Sequence, residues 1–274
     1  MRLHRRRRVM LVTGATGFLG KHLVNGAATA DWELIAPGSG SMDIRARDST
    51  ITTIRDWKPN VVVHLAYRKD RPTIVDGSRH VAEGAAAAGA HLVHMSTDVV
   101  FGGRAAPYTE ADQPFPIIPY GEHKLDAERA VASAHPTAAI VRTSLLYGTD
   151  RPSPAQVELA AALRSPAARR GMTFFTDEFR CPAHADDVAR AVADLAGRPD
   201  VVGPIHVAGP ERVSRAQFAS LMARHLGADA HLIPTGTIAE SGQVRPANVV
   251  LDVSKAARLG ITCRPVTAVL GSTV

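Results

Sequence analysis

The sequence predicts an α/β chain built on a doubly wound parallel sheet, and three observations carry that prediction. Short β-branched runs alternate with longer Ala-rich stretches of helical period, the pattern of repeated strand–helix–strand units. The runs expected as central strands are apolar with almost no alternation, as when helices cover both faces of a sheet. A cluster of glycines closes the first run and opens a helix. With 274 residues, 45% of them hydrophobic and 21% charged, the chain is long enough for one large α/β domain and a smaller appendage.

In chain order the strands are expected at RVMLVTG, WELIAPG, NVVVHLAY, HLVHMST, AAIVRTS, MTFFTD and GPIHVAG. The intervening helices are GFLGKHLVNGAATA, STITTIRDW, TIVDGSRHVAEGAAAAGA, YGEHKLDAERAVASA and AHADDVARAVADLAG. From about Tyr147 the pattern loosens and Pro152, Pro154, Pro166 and Pro182 punctuate shorter elements. The expected organisation is therefore a basic, disordered leader at 1–8, a dinucleotide-binding domain at 9–150, and a mainly substrate-binding lobe at 151–274. Segments of that lobe are expected to return to the core, and the lobe to sit over the carboxyl ends of the strands, where open α/β sheets bind ligands.

Charge and composition exclude several functions. The formal charge is +6, but Arg2, Arg5, Arg6, Arg7 and Arg8 supply five of those charges, so the body is nearly neutral and no nucleic-acid partner is expected. The apolar stretch after the leader is too short for a secretory signal, and no window reaches the ~18–20 apolar residues of a membrane span. Cys181 and Cys263 form neither a disulfide framework nor a metal pair, which fits a cytoplasmic protein with small buried thiols. Twelve histidines occur without an H-E-x-x-H or a close Cys/His cluster, so no metal site is expected. No G-x-S-x-G marks a hydrolase nucleophile, and Asp186 and Asp187, adjacent on one helix, suit a helix start better than acid–base work.

The first positive signal is VTGATGFLGKHL, with Gly14, Gly17 and Gly20 in G-x-x-G-x-x-G spacing between strand and helix. Glycines there allow a tight turn, close backbone approach to a pyrophosphate and close helix packing. A phosphate loop of the G-x-x-x-x-G-K type fails because Ala15 takes the place of its first glycine and His22 that of its Ser or Thr. The second signal is the pair of hydroxyls Ser96 and Thr97 ending the fourth strand, where a simple turn cap is the alternative role. The third is Tyr120 and Lys124, four apart at a helix start and so on one helical face.

Taken in that order, these motifs resemble the extended short-chain dehydrogenase/reductase family and, within it, the dTDP-4-dehydrorhamnose reductases. STDVVFGG, YTEADQPFPIIPYGEHKLDAE, VRTSLLYG, CPAHADDVARAV and RPANVVLD are similar to family landmarks along most of the chain. The resemblance implies a Rossmann-like fold and an NAD(P)H-dependent reductase of a nucleotide-activated 4-keto-6-deoxysugar. It implies Tyr120 as general acid, Lys124 as the cation that eases its ionisation and holds the nicotinamide ribose, and Thr97 as the hydroxyl orienting the carbonyl. Cofactor contacts are implied for Gly14, Ala15, Thr16, Gly17, Phe18, Leu19, Gly20, Asp43, Ile44, Leu65, Ala66 and Tyr67, together with Tyr120 and Lys124. Substrate contacts are implied for Thr97, Asp98, Val99, Tyr120, Leu145 and Arg245, the last against a nucleotide diphosphate. The second strand ends at Pro37, Gly38 and Ser39 without the acid that grips a ribose 2′-OH, so NADP(H) is favoured, with NAD(H) an open alternative.

Three positions depart from the family. Ile74 stands near an expected Asn, Val99 replaces a Tyr, and Leu145 replaces an aromatic beside the sugar. The alternatives carried forward are an NAD-dependent epimerase or dehydratase and a non-catalytic regulatory or binding subunit on the same fold. A homodimer is left open.

Overall fold

The computed structural model describes residues 8–26 and 29–271. Strand β1 (Arg8–Thr13) leads through a glycine turn into α1 (Phe18–Val24), followed by β2 (Trp32–Ile35), α2 (Arg47–Trp57) and β3 (Val61–His64). A six-residue π-helix, Pro72–Gly77, runs directly into α3 (Ser78–Ala87), after which come β4 (His91–Thr97), α4 (Pro119–Ala134) and β5 (Ala139–Thr143). Beyond these lie β6 (Leu146–Tyr147), α5 (Pro154–Arg164), α6 (Pro166–Arg169), β7 (Phe174–Phe175), β8 (Phe179–Arg180) and β9 (Ala183–His184). The chain continues through α7 (Ala185–Ala196), β10 (Gly203–His206), β11 (Val213–Ser214), α8 (Arg215–His225) and β12 (Thr235–Gly236).

Six strands form one parallel sheet in the order β10-β5-β4-β3-β1-β2. β1 pairs in parallel with β2 on one side and β3 on the other, so the winding reverses between β1 and β3. That reversal opens a crevice at the carboxyl ends of these two strands. The apolar runs behave as their composition demands: Met10, Leu11, Val12, Val61, Val62, Val63, Leu92 and Val93 are all fully buried. Burying each such side chain contributes about 1.5–3 kcal/mol.

The expected MTFFTD strand is reduced to β7, which pairs with β12 outside the central sheet. Pro166 and Gly171 interrupt the preceding chain, and Gly171 takes φ +80°, so little length remains for a ladder. Arg8 is part of β1 rather than of a leader, because its guanidinium lies 4.2 Å over the Trp32 ring on the neighbouring strand. The rest of the expected leader, residues 1–7, lies outside the described residues.

Two compact units divide the chain, and the division does not fall at residue 150. The first comprises 1–96, 123–141 and 189–205, and the second 97–122, 142–188 and 206–274. Helices α4 and α7 and strands β4, β5 and β10 each run from one unit into the other, a pattern that no local change in composition announces. The first unit centres on Leu11, Ile54, Val62, Val81, Leu92 and Val131. The second has its own core around Tyr147, Leu159, Phe218, Leu221 and Val266.

Candidate active site

In the first unit the glycine turn is fixed by backbone packing. Gly14 has φ +74°, and a Cβ there would lie 2.5 Å from the Ala66 amide nitrogen. A Cβ on Gly20 would overlap the Gly14 carbonyl, bringing α1 down onto the turn. Gly17 is the N-cap of α1, has no side-chain cap, and is followed by no acidic residue in the first turn. Thr16 and Gly17 are exposed, whereas Ala15 and Leu19 are buried and Phe18 is half-buried. The uncapped, acid-free start of α1 and the positive end of the helix suit a pyrophosphate, so the residues present fit a dinucleotide.

At the reversal of the winding, Thr13 Oγ1 and His64 Nδ1 stand 2.6 Å apart. The rest of this buried chain fixes the tautomer. Ser78 Oγ donates to the Ile74 carbonyl at 2.6 Å and therefore accepts from His64 Nε2 at 3.0 Å. Nδ1 is then left to accept from the Thr13 hydroxyl, whose oxygen in turn accepts the Ala66 amide at 3.4 Å. Burial holds His64 neutral, its pKa lowered to about 3, with the Lys124 charge adding to the effect. Next to it, His94 stacks on His64 at 5.3 Å, and neither of its ring nitrogens has a hydrogen-bond partner among the described residues. Its pKa is also driven down, by burial first and then by Lys124 and His64.

Lys124 is buried and donates to the Met95 carbonyl at 2.6 Å. Desolvation lowers its pKa to about 8, against the opposing pull of Glu128 one turn further along α4. Glu128 accepts a 2.5 Å hydrogen bond from Ser96 Oγ. Among the described residues the bond to Met95 is the hydrogen bond the Lys124 ammonium makes, which leaves donors for a ligand hydroxyl. Tyr120, half-buried, precedes Lys124 by one turn of the same helix.

Ile44 turns inward, whereas the Asp43 carboxylate stays at the surface. Arg45 forks both oxygens of Asp43, at 2.9 and 2.6 Å, which holds the carboxyl down at about 2 through hydrogen bonds to Arg45. Ile44 is a core residue packed against Gly77, with its carbonyl bonded to His80. An adenine contact from either is therefore restricted to main chain or to exposed carboxylate edges. Leu65 and Ala66 line the approach to Gly14, and Tyr67 is exposed. No acidic residue stands at the end of β2, where Pro37, Gly38 and Ser39 begin the loop.

The second unit receives the end of β4. Thr97 caps a short 3-10 turn, accepting the Val99 amide and donating to Asp98, both at long distances of 3.4 and 3.3 Å. Asp98, expected against substrate, points into the interior instead. It accepts from Ser144 at 2.6 Å, faces Arg180 at 3.7 Å, and burial raises its pKa. Arg180 also pairs with Glu178 at 3.1 Å, and Arg245 forks Glu178 through Nε and Nη2 at 2.6 and 3.0 Å. The expected diphosphate contact Arg245 thus already holds a carboxylate. Val99 and Leu145 are half-buried. Asp187, in the first turn of α7, is fully buried against Arg264, as expected of a helix-start residue. Cys181 is buried and Cys263 half-buried, both as free thiols.

Sequence reasoning missed His64, Ser78, His94, Glu128 and Glu178. A polar residue ending an otherwise apolar strand, as His64 does in β3, is the signal that was available. Among the described residues there is no group of three or more potential metal ligands, and no helix is long and apolar enough to cross a membrane.

A parallel sheet with a glycine turn at its winding reversal, followed by a helix with Tyr and Lys one turn apart, defines an extended dehydrogenase/reductase-type dinucleotide fold. The family model described as RmlD substrate binding domain matches residues 7–273, and the chain belongs to that family. It is 33% identical to dTDP-4-dehydrorhamnose reductase of Sinorhizobium fredii over 77% of this chain and 75% of that protein. It is 30% identical to methionine adenosyltransferase 2 subunit beta of Rattus norvegicus, over 93% of this chain and 83% of that protein. Among solved structures, a dTDP-4-dehydrorhamnose reductase of Clostridium acetobutylicum superposes with a TM-score of 0.85 at 26% identity, covering 96% of this chain and 97% of that one. A Bacillus anthracis reductase solved with NADP shares the fold at 23% identity, a TM-score of 0.85 and the same coverage of both chains.

Proposed function

We propose that the protein is an NADPH-favouring reductase of a nucleotide-linked 4-keto-6-deoxysugar. The observation that carries this reading is Lys124: a buried ammonium with one main-chain acceptor, set one turn after Tyr120. Burying such a charge is costly, and a ligand hydroxyl beside a reacting phenol accounts for retaining it. A bound nicotinamide supplies a hydride. The chain's own part is to deliver the proton that the resulting alkoxide needs, from Tyr120, with Lys124 favouring the phenolate left behind. Thr97, whose two local hydrogen bonds are long, orients the carbonyl oxygen. The lack of an acidic residue at the end of β2, where Pro37, Gly38 and Ser39 stand, supports NADPH over NADH.

The test is NADPH oxidation against a panel of dTDP-linked 4-ketosugars. Tyr120→Phe is expected to lower turnover ~10²-fold or more while leaving the melting temperature and NADPH affinity nearly unchanged. Near-normal turnover in that variant refutes the reading. Leu145→Trp, restoring the aromatic wall, is expected to move kcat/KM toward dTDP-4-dehydrorhamnose by roughly 10–100-fold, the worth of one ring contact.

A second reading is favoured by the similarity to methionine adenosyltransferase 2 subunit beta across nearly the whole chain. On that reading the protein binds a dinucleotide and serves as a subunit of an adenosyltransferase. Cofactor binding without turnover of any ketosugar, together with altered kinetics of the host's methionine adenosyltransferase on mixing, identifies it.

A further inference from the structure

The second unit holds a small pocket walled by Leu145, Leu146, Phe174, Phe218 and Met222, with one charged residue, Arg215, in its lining. Ser153, another polar residue on the wall, has its hydroxyl engaged as the N-cap of α5, accepting the Gln156 amide. Arg215 opens α8, and its main-chain amide donates to the Glu178 carbonyl at 2.8 Å. Its guanidinium has no hydrogen bond or ion pair among the described residues. Burial pushes its pKa down, against the pull of Glu178.

The reason it lacks a partner is local. Both oxygens of Glu178 are engaged by the Arg245 fork, and Arg180 shares one of them. Asp98 is held by Ser144 and faces Arg180. Three arginines therefore share two carboxylates, and the surplus cation is the one that lines the apolar pocket. An unpaired, partly desolvated guanidinium is costly to keep, and one planar donor fork suits one carboxylate. The aliphatic and aromatic walls add contact area for whatever that carboxylate is attached to.

We propose that this pocket is a binding site for a small carboxylate on an apolar stem, seated on Arg215. The proposal holds whether or not the protein is a reductase. Two sources share this chemistry, a free organic acid and an acidic substituent carried on a nucleotide sugar.

Benzoate titrated into the full chain, followed by the methyl resonance of Met222 in ¹³C-methyl-methionine protein, tests it. Saturable perturbation of that methyl is expected, with benzamide, the neutral isostere, binding at least tenfold more weakly. Arg215→Gln is expected to weaken benzoate at least tenfold, and Leu146→Trp, which fills the pocket from another wall, to abolish binding. Thermal melts accompany both variants, and NADPH affinity is expected to stay unchanged in each. Benzamide or inorganic phosphate binding as tightly as benzoate, an undisturbed Met222 methyl, or unaltered benzoate affinity in a folded Arg215→Gln protein overturns the proposal. A repeat in saturating dTDP-glucose separates the sources. Mutual exclusion assigns the carboxylate to the sugar's substituent, and independent binding assigns it to a free acid. NADPH oxidation on ketosugars is measured separately, so loss of the reductase reading leaves this result standing.

Discussion

The two units bury polar groups by opposite means. Around Thr13, His64 and His94 in the first unit, ionisable side chains are kept neutral by burial, and the Lys124 ammonium stands with little compensation. Around Glu178 in the second, charges are retained and paired, with Arg180 and Arg245 sharing one carboxylate. A neutral interior titrates as the pH falls. A paired interior resists pH yet fails when one partner is removed.

The sharpest way to break this comparison is Glu178→Ala. It leaves Arg180 and Arg245 facing each other without their shared anion, and the expected loss is about 3–5 kcal/mol, read from urea denaturation. A loss below about 1 kcal/mol shows that solvent replaces the pairing and that the second unit is not held by it.

Lys124→Met gives a smaller effect of opposite sign. The folded pKa of about 8 lies below the unfolded 10.5, so the unfolded chain holds the extra proton between those values and stability rises with pH across that window. Below pH 8 the native protein bears the full cost of the buried charge. The variant is therefore expected to be more stable at pH 7 by up to about 3.5 kcal/mol, from 2.5 pKa units at roughly 1.4 kcal/mol each. The advantage fades toward pH 10.5, and turnover is lost. A destabilised Lys124→Met protein at pH 7 removes the argument that the charge is retained for function.

The smallest effect concerns acid. His64 titrates at about 3 when folded, below its ordinary 6.5, and His94 shifts the same way. The unfolded chain takes up these protons first, so stability is lost as pH falls below 6.5, with a slope of about 1.4 kcal/mol per pH unit for each histidine. His94→Leu, which also removes two unpartnered nitrogens, is expected to flatten this part of a melting-temperature profile between pH 7 and 4.5. An unchanged slope shows that His94 is protonated in the native state.

What was legible in the sequence follows the same division. The glycine turn and the β-strands of the sheet are local: Gly14 and Val61–Val63 carry their roles in residue type and neighbours. Tyr120 and Lys124 were readable because helical spacing sets their relation. Long-range partners were not readable. Asp98 resembled a substrate contact until Ser144 and Arg180, 46 and 82 positions away, were seen to claim it, and Arg245 resembled a free anion binder until Glu178 was placed beside it. The division into units was hidden for a similar reason, since α4 and α7 show no break in pattern where they change units. MTFFTD had the residue types of a core strand, but it lacked the neighbours that would have made it one.

The π-helix at Pro72–Gly77 bears on how relatives of this chain diverge. A π turn holds about one residue more than an α turn, and it delivers Ser78 to His64 at the start of α3. Deleting one residue from Pro72–Gly77 would tighten the turn to α geometry and rotate α3 by about 100° about its axis, carrying the Ser78 hydroxyl away from the imidazole without altering either side chain. In this segment, change of chain length has more leverage than change of residue type, and a one-position gap in an alignment here would mark a homologue whose histidine has been released from its wire.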